Sequence, residues 1–246
     1  YDFNAAGAPA PGDNGSGGAI AHRGRYPLGQ QLVLLDGRKF RYCLVGGTTL
    51  VVGNVITSAA ILTTDIDQTP AAGAADDRII TFTHGAATTV INIFAEGYAV
   101  ISVTPGGGDT YKIASHAALR NATAGDIVNL APGQRLRRAL TTTSRLDLMQ
   151  QAYASAIQAA ATTLTGMPVG VAIAAITNAQ FGWLQTRGLV GVLTAGTLVV
   201  GANAVSPTAT AGAAGPSGAS TSVNIGRVQS LAATTAWSSI YLTLDG

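Results

Sequence analysis

Asp65 and Asp67 stand two residues apart. On a strand that spacing puts both carboxylates on one face, where they could share a divalent cation with nearby carbonyls. Such a cation needs six or more oxygens, and two acids in a loop are more often simply hydrated. Asp76 and Asp77 are adjacent and would diverge. The three histidines, His22, His84 and His116, argue against a His-based metal cage; His84 ends one strand-like run and His116 follows another. Nucleophilic catalysis would need a His beside a Ser or Cys and an orienting acid. The single cysteine, Cys43, lies between Tyr42 and Leu44 in a strand-like run, the setting of a buried, inert thiol. One cysteine forms neither an internal disulfide nor a Cys-rich zinc site. No G-x-S-x-G elbow occurs, and Gly106 to Gly108 is not followed by GK[ST] and a helix, so it reads as a hairpin loop.

Arg135, Arg137 and Arg138 form the densest basic cluster, with Arg120 and Arg145 nearby in sequence. Such a group can clamp a phosphate or carboxylate. The commoner outcome is a solvated face or an ion pair between subunits. No aromatic residues interleave with these arginines, as a single-strand nucleic-acid platform would require. Trp183 and Trp237 occupy strand-like contexts that suit core or interface packing; with Tyr98 they also offer a sugar-stacking alternative. These residues assign no catalytic, cofactor-binding or metal-binding site, and the expectation is a protein that is not an enzyme.

The elements that must position these residues are bounded by composition. The chain has 246 residues, 47% of them hydrophobic, with 31 Gly and a net charge of +2. That is too apolar for a disordered chain and too weakly charged for a nucleic-acid coat or a polybasic membrane binder. Charged residues make up only 11% of the chain, against a usual ~25%. They are also uneven: from Leu148 to Gly226 the only charged residue is Arg187. An ordinary Thr-rich β surface is one reading. A surface covered by a neighbouring subunit is the favoured one, because interface cores lose charge. The longest strongly apolar run, Val169 to Ile176, falls well short of the ~20 residues of a membrane-spanning helix. The start lacks the basic flank and apolar run of a signal peptide, and Tyr1 in place of Met suggests a processed, truncated or incomplete beginning.

Residues 1–27, of which 1–18 are rich in Gly, Ala and Pro, read as a flexible, extended N-terminal arm that could lie on a partner, with a frayed tail as the alternative. Folded character then runs from 28 to 246, with a division into two β subdomains at about 28–145 and 165–246. Gln30 to Leu35 and Arg38 to Val45 flank Asp36-Gly37, the signature of a two-residue type I′ hairpin. Further strands are expected at Thr48 to Val52, Arg78 to His84, Val90 to Phe94, Gly97 to Thr104, Thr110 to Ser115 and Ile127 to Leu130. The C-terminal set is Val169 to Ile176, Phe181 to Thr186, Leu189 to Leu193, Leu198 to Gly201, Val223 to Val228 and Ser239 to Leu244. Leu146, Met149, Tyr153 and Ile157 recur at steps of three and four and suggest a helix within 145–161, with a strand at Arg145 to Met149 as the alternative. Ala59 to Leu62 suits a helical turn, and residues 202–222, low in complexity and uncharged, read as a long flexible loop. Many short strands at even spacing indicate an all-β fold, sandwich or barrel-like, with at most one short helix.

Three stretches of this strand-rich sequence carry a resemblance: Val169-Gly-Val-Ala172, Phe181-Gly-Trp-Leu-Gln-Thr-Arg-Gly188 and Val192-Leu-Thr-Ala-Gly-Thr-Leu-Val-Val-Gly201. A Thr/Ala/Gly-rich segment, then Gly226-Arg227-Val228, Trp237 and Ile240 to Leu244 follow them. The pattern resembles structural proteins of tailed-bacteriophage heads, and Leu28 to Gly47 also looks like the opening of phage virion proteins. The resemblance covers roughly half of the chain and is most like a capsid decoration, or cement, protein. It implies a β-rich subunit bound outside an icosahedral shell, on the virion exterior after assembly in the host cytoplasm. The implied partners are the major capsid protein and copies of itself, as a homo-oligomer such as a trimer, with no direct nucleic acid, no membrane and no cofactor. The expected interface residues are Tyr1, Phe3, Arg23 and Arg25 on the arm and Phe181, Trp183, Arg187 and Trp237 in the body. A tail, baseplate or head–tail connector protein is the first alternative, and a carbohydrate-binding module the second.

Overall fold

The computed structural model describes residues 26–218, 222–232 and 236–245. Among them the strands are β1 (Gln31–Val33), β2 (Lys39–Leu44), β3 (Val55–Thr57), β4 (Thr69–Pro70), β5 (Ile79–Thr83), β6 (Tyr98–Val103), β7 (Thr110–His116) and β8 (Ala124–Leu130). They continue with β9 (Arg145–Met149), β10 (Ile157–Gln158), β11 (Pro168–Ala172), β12 (Phe181–Leu193), β13 (Asn203–Ser206), β14 (Gly215–Pro216), β15 (Val223–Val228) and β16 (Trp237–Thr243). A single 3-10 turn, Thr63–Asp65, is the one helical element among the described residues. The protein is all-β. No helix among the described residues is long and apolar enough to cross a membrane.

The chain divides into two compact units, and the second is an insertion in the first. The described part of unit 1 comprises residues 26–60 and 152–245; unit 2 comprises residues 61–151. The division at 145 and 165 expected from sequence is therefore replaced by one in which 26–60 folds with the C-terminal half. Long-range pairing is the reason: β2 lies antiparallel to β12, with Trp183 opposite Tyr42, and β3 pairs with β11.

Unit 2 is a six-stranded antiparallel sheet in the order β4-β5-β8-β7-β6-β9. Its two outer strands meet where Gln68 and Leu146 exchange both amide–carbonyl bonds at 2.9 Å. This bridge curls the sheet into a barrel and ties its two edges together at that point. Strict alternation drives the closure. In β5, Ile80 and Phe82 point in; in β7, Tyr111 and Ile113; in β9, Leu146 and Leu148. These residues join Phe94, Ile101, Leu119, Val128, Leu136 and Leu140 in one buried cluster. Each such side chain contributes about 1.5–3 kcal/mol on burial.

Unit 1 is a larger sheet ordered β10-β3-β11-β12-β16-β15-β13-β14, with β2 also on β12 and β1 on β2. Its axis is the 13-residue β12, which merges the two strands expected at 181–186 and 189–193. One side of β12 takes β2 along Phe181–Arg187 and β16 along Arg187–Leu193. A bulge between Gln185 and Arg187 marks the junction, and Gly188 follows with φ +91°. The Gln185 side-chain amide donates to the carbonyls of Arg187 and Leu189, both at 3.0 Å, and so satisfies groups near the irregularity. Unit 1 has two buried clusters: Leu184 packs with Leu50, Ile56, Val169 and Ile176, and Val192 with Val171, Ile225, Ile240 and Leu242.

Several local expectations are corrected. The turn at Asp36-Gly37 is a three-residue loop closed by the Leu34 amide on the Arg38 carbonyl, with Gly37 alone at positive φ (83°). Residues 145–161 contain no helix; the alternative strand at Arg145 to Met149 is β9, with Leu146 and Leu148 inward, turns follow, and β10 begins at Ile157. Residues 90–97 form turns, with Asn92 and Glu96 at positive φ, where a strand at Val90 to Phe94 cannot continue. The strands expected at Thr48 to Val52 and Leu198 to Gly201 reduce to an isolated bridge at Leu50 and to a turn. The helical turn lies at 63–65 rather than 59–62. The supposed loop at 202–222 contains β13 and β14, and its Ala204, Val205, Ala213 and Ala214 are buried.

Candidate functional site

The outward face of unit 1 is built by three neighbouring strands. Side chains alternate along β16, so Ser238, Ile240 and Leu242 point inward while Trp237 and Tyr241 stay exposed. Tyr241 lies opposite Leu189 of β12 on one side and Arg227 of β15 on the other. Leu189 is 44% exposed, Tyr241 43% and Trp237 59%. Gly191, opposite Ser239, lies between these rows, and a Cβ there would have no neighbour within 4 Å. The Trp237 indole lies over the turn at Gly53, where an added Cβ would collide with it, and the preceding Val51 and Val52 are exposed too.

The charge-poor stretch from 148 to 226 has two causes. Part of it is interior: all five residues of β11 are buried, as are Phe181, Leu184, Gln185 and Thr186 in β12. The remainder is exposed yet uncharged, including Met167 at 60%, Val199 at 64% and Val200 at 58%.

The expected interface residues separate accordingly. Trp237 belongs to the outward face. Phe181 does not: it is buried and stacked on Tyr42, ring centres 5.5 Å apart at 4°. Its ring is 1% exposed and packs as a core residue. Trp183 packs in the same aromatic group, 5.1 Å from Tyr42 and 5.5 Å from Tyr26, which leaves it half-buried. Arg187, also half-buried, sits at the β2–β16 junction. Tyr98 is exposed on β6 of unit 2. Tyr1, Phe3, Arg23 and Arg25, and the arm they belong to, lie outside the described residues, as does His22. Sequence reasoning missed Leu189 and Tyr241. The available signal was the run Leu189 to Leu193, apolar on both faces, where a one-sided strand would alternate with polar residues.

The titratable groups are held by the fold. In unit 1, Asp245 takes a two-pronged bond from Arg41 (2.8 and 2.9 Å), one from Gln31 at 3.1 Å and one from the Thr186 hydroxyl at 3.2 Å. The Arg41 bond holds its carboxyl below the usual range. Burial pushes the Cys43 thiol up to about 12, so the lone cysteine is an inert core residue.

In unit 2 the aspartates two apart go separate ways. Asp67, at φ 58°, is exposed and 3.3 Å from Arg145. Asp65 is buried, its Oδ1 3.2 Å from Nε2 of His84, while Nδ1 of His84 lies 3.0 Å from the Ala87 carbonyl. A carbonyl only accepts, so Nδ1 is the donor in the contact with Ala87. Burial raises the Asp65 carboxyl, with the His84 bond opposing it. His116 accepts the Phe94 amide on Nε2 at 3.0 Å and so braces the turn at 90–97. No group of three or more metal-ligating His, Cys, Asp or Glu side chains occurs among the described residues.

The arginine cluster is also divided. Arg138 grips Asp109 through Nε (3.1 Å) and an amino group (2.8 Å), and Tyr111 donates to the same carboxylate at 3.2 Å. The Arg138 bond lowers the Asp109 carboxyl, and burial raises the Tyr111 hydroxyl. Arg120 pairs with Asp126 at 2.8 Å. Arg135 and Arg137 instead line a cavity of about 340 Å³.

Compared with protein-family models, curated proteins and solved structures, the chain matches none of them.

Proposed function

We propose that the chain is a structural virion protein that attaches to the outside of a tailed-phage capsid and reinforces the shell through contacts between subunits. The observation that carries this reading is the outward face of β12, β15 and β16. There Leu189, Tyr241 and Trp237 stand in water with Arg227 as the neighbouring charge. A face of this kind loses free energy to hydration when bare, and covering apolar area returns about 25 cal/mol per Å². A stable interface buries roughly 800 Å² per partner, so the face would supply its centre and polar neighbours its rim.

The physical mode of action is linkage. A subunit that binds the assembled shell but not its free building blocks stabilises the assembled state. Many identical attachments, each modest, multiply through the lattice. The barrel of unit 2 suits display in water, since its outer strands are tied together at Gln68 and Leu146. The buried Asp65 and Asp109 and the half-buried Asp245 serve in this reading to hold the fold rather than to perform chemistry.

Imaging of intact particles with a count of copies per particle tests the reading. The expected result is hundreds of copies on the outer shell. A handful of copies confined to the tail or baseplate would replace it with the connector or baseplate alternative.

A further inference from the structure

The basic run at 135–138 contains one guanidinium, that of Arg135, which is exposed and pairs with no described residue. Arg138 is committed to Asp109, and Arg137 is 71% exposed, 3.8 Å from the same carboxylate. Arg135 makes no hydrogen bond or ion pair with any described residue. Arg135 and Arg137 line an open cavity of about 340 Å³ together with Asp76, Thr110, Tyr111 and Gln134. That volume falls in the range of small-ligand sites.

The walls are braced before any ligand arrives. The Arg137 amide donates to the Tyr111 hydroxyl oxygen at 2.9 Å, and Tyr111 is fixed in turn by its bond to Asp109. The Gln134 side-chain carbonyl accepts the Lys112 amide at 2.6 Å. The Leu136 amide reaches the Asp77 carbonyl at 2.9 Å, and the Asp76 amide returns to Leu136 at 2.8 Å. Two arginines are thus carried on a tied-down loop, which reduces the ordering cost of binding. Lys112, two residues beyond Thr110, shares the exposed face of β7. Asp76, at φ 71°, is the one carboxylate in the wall.

We propose that this cavity is an oxyanion site in which Arg135 and Arg137 hold a carboxylate or phosphate group. The planar fork of a guanidinium matches either group through paired N–H···O bonds. Arg138 bonds both oxygens of Asp109, so Arg137 keeps only a 3.8 Å contact with that carboxylate. Asp76 repels the incoming anion and limits its affinity. The site stands independently of the virion reading, because it rests on unit 2 alone. The same chemistry serves a free oxyanion or an acidic side chain of another polypeptide.

Calorimetric titration of the full chain with inorganic phosphate, and separately with a tri-glutamate peptide, tests the site at constant low ionic strength. Saturable one-to-one binding of at least one probe is expected. Arg135→Gln removes a side chain with no structural bond and should weaken that binding by about tenfold or more. Asp76→Asn, which suits the left-handed backbone equally well, should tighten it. Phosphate binding without peptide binding identifies a free-anion site, whereas tighter peptide binding identifies an acidic segment as the occupant. The inference is overturned if neither probe saturates by about 10 mM, if Arg135→Gln leaves binding unchanged, or if Asp76→Asn weakens it. None of these outcomes bears on where the protein sits in a particle.

Discussion

Unit 2 carries seven Lys or Arg and eight Asp or Glu within residues 61–151. The described residues of the larger unit 1 carry only Asp36, Arg38, Lys39, Arg41, Arg187, Arg227 and Asp245. Most of these gather at the β1–β2 hairpin and the Asp245 junction: Asp36 pairs with Arg38, Arg41 with Asp245, and Lys39 bonds the Asp245 carbonyl. The rest of the unit 1 surface is left almost neutral and, on the β12–β16 face, apolar. The two units thus solve their surfaces differently. The closed, continuous barrel is dressed for water. The discontinuous sheet leaves one face uncharged and partly apolar, with Leu189, Tyr241 and Trp237 exposed. Low charge in the whole chain is an average over these two regimes.

The largest effect should come from the barrel core. Phe82 is 1% exposed in the single cluster of unit 2. Phe82→Ala should cost about 3–5 kcal/mol, read as a lower denaturant midpoint for the transition of unit 2. Cys43, buried in unit 1, is the only thiol and so reports opening of that unit alone. Under native conditions its alkylation should stay as slow in Phe82→Ala as in the parent. Equal acceleration of alkylation would erase the distinction between the units as folding entities.

Next in size is the removal of a buried carboxylate. The Asp109 side chain is 6% exposed and serves Arg138 and Tyr111. Asp109→Asn should cost about 1–3 kcal/mol at neutral pH. The native carboxyl titrates below its unfolded value, because Arg138 favours the charged form. Its stabilisation is therefore fully present above the ordinary carboxylate pKa of about 3.9 and is lost as pH falls through the depressed value. Asp245, lowered by Arg41, behaves with the same sign in unit 1. Acid titration of stability should show Asp109→Asn flattening the acid limb of unit 2 and Asp245→Asn that of unit 1. A single variant that flattens both limbs would count against separate electrostatic accounting.

How far the sequence announced this comparison depends on the range of the interaction. Period-2 patterning revealed β5, β7 and β15 because alternation is local, and the all-β class follows from it. It failed where tertiary contact decides. Leu146, Met149, Tyr153 and Ile157 mimic a helical stripe, but the pairing of β9 with β6 selects the Leu146–Leu148 alternation instead. The neutral segment at 202–222 lacks large side chains, yet β13 is held between β14 and β15 by backbone bonds that composition does not register. The arginine cluster was visible as a cluster. Which member stays open was not, because Asp109 lies 29 residues from Arg138 in the chain. The outward face shares that obstacle, since Leu189 and Tyr241 become neighbours only through the β12–β16 register.

A smaller effect separates two glycines of that same sheet. A Cβ on Gly226 would run into the Tyr241 carbonyl, a backbone atom that cannot move aside cheaply. Gly226→Ala should therefore cost about 1–3 kcal/mol in the unit 1 transition, as overpacking does. Gly191 has open space where its side chain would be.

The smallest change in stability should accompany the largest change in attachment, and this sets the outward face apart from everything beneath it. Gly191→Lys places a long cation between the Leu189–Tyr241 row and Trp237, on the solvent side of β12. With no neighbour to displace, its effect on unfolding should stay within about 0.5 kcal/mol. If a partner covers this face, the same lysine must be desolvated in the interface and pushes the surfaces apart, so attachment to particles stripped of the protein should fall by about 100-fold or more. Arg135→Gln, on unit 2, should leave attachment through the β12–β16 face as it was. Retention of full occupancy by Gly191→Lys would show that the apolar face is not the contact, and the neutral surface of unit 1 would then need another explanation.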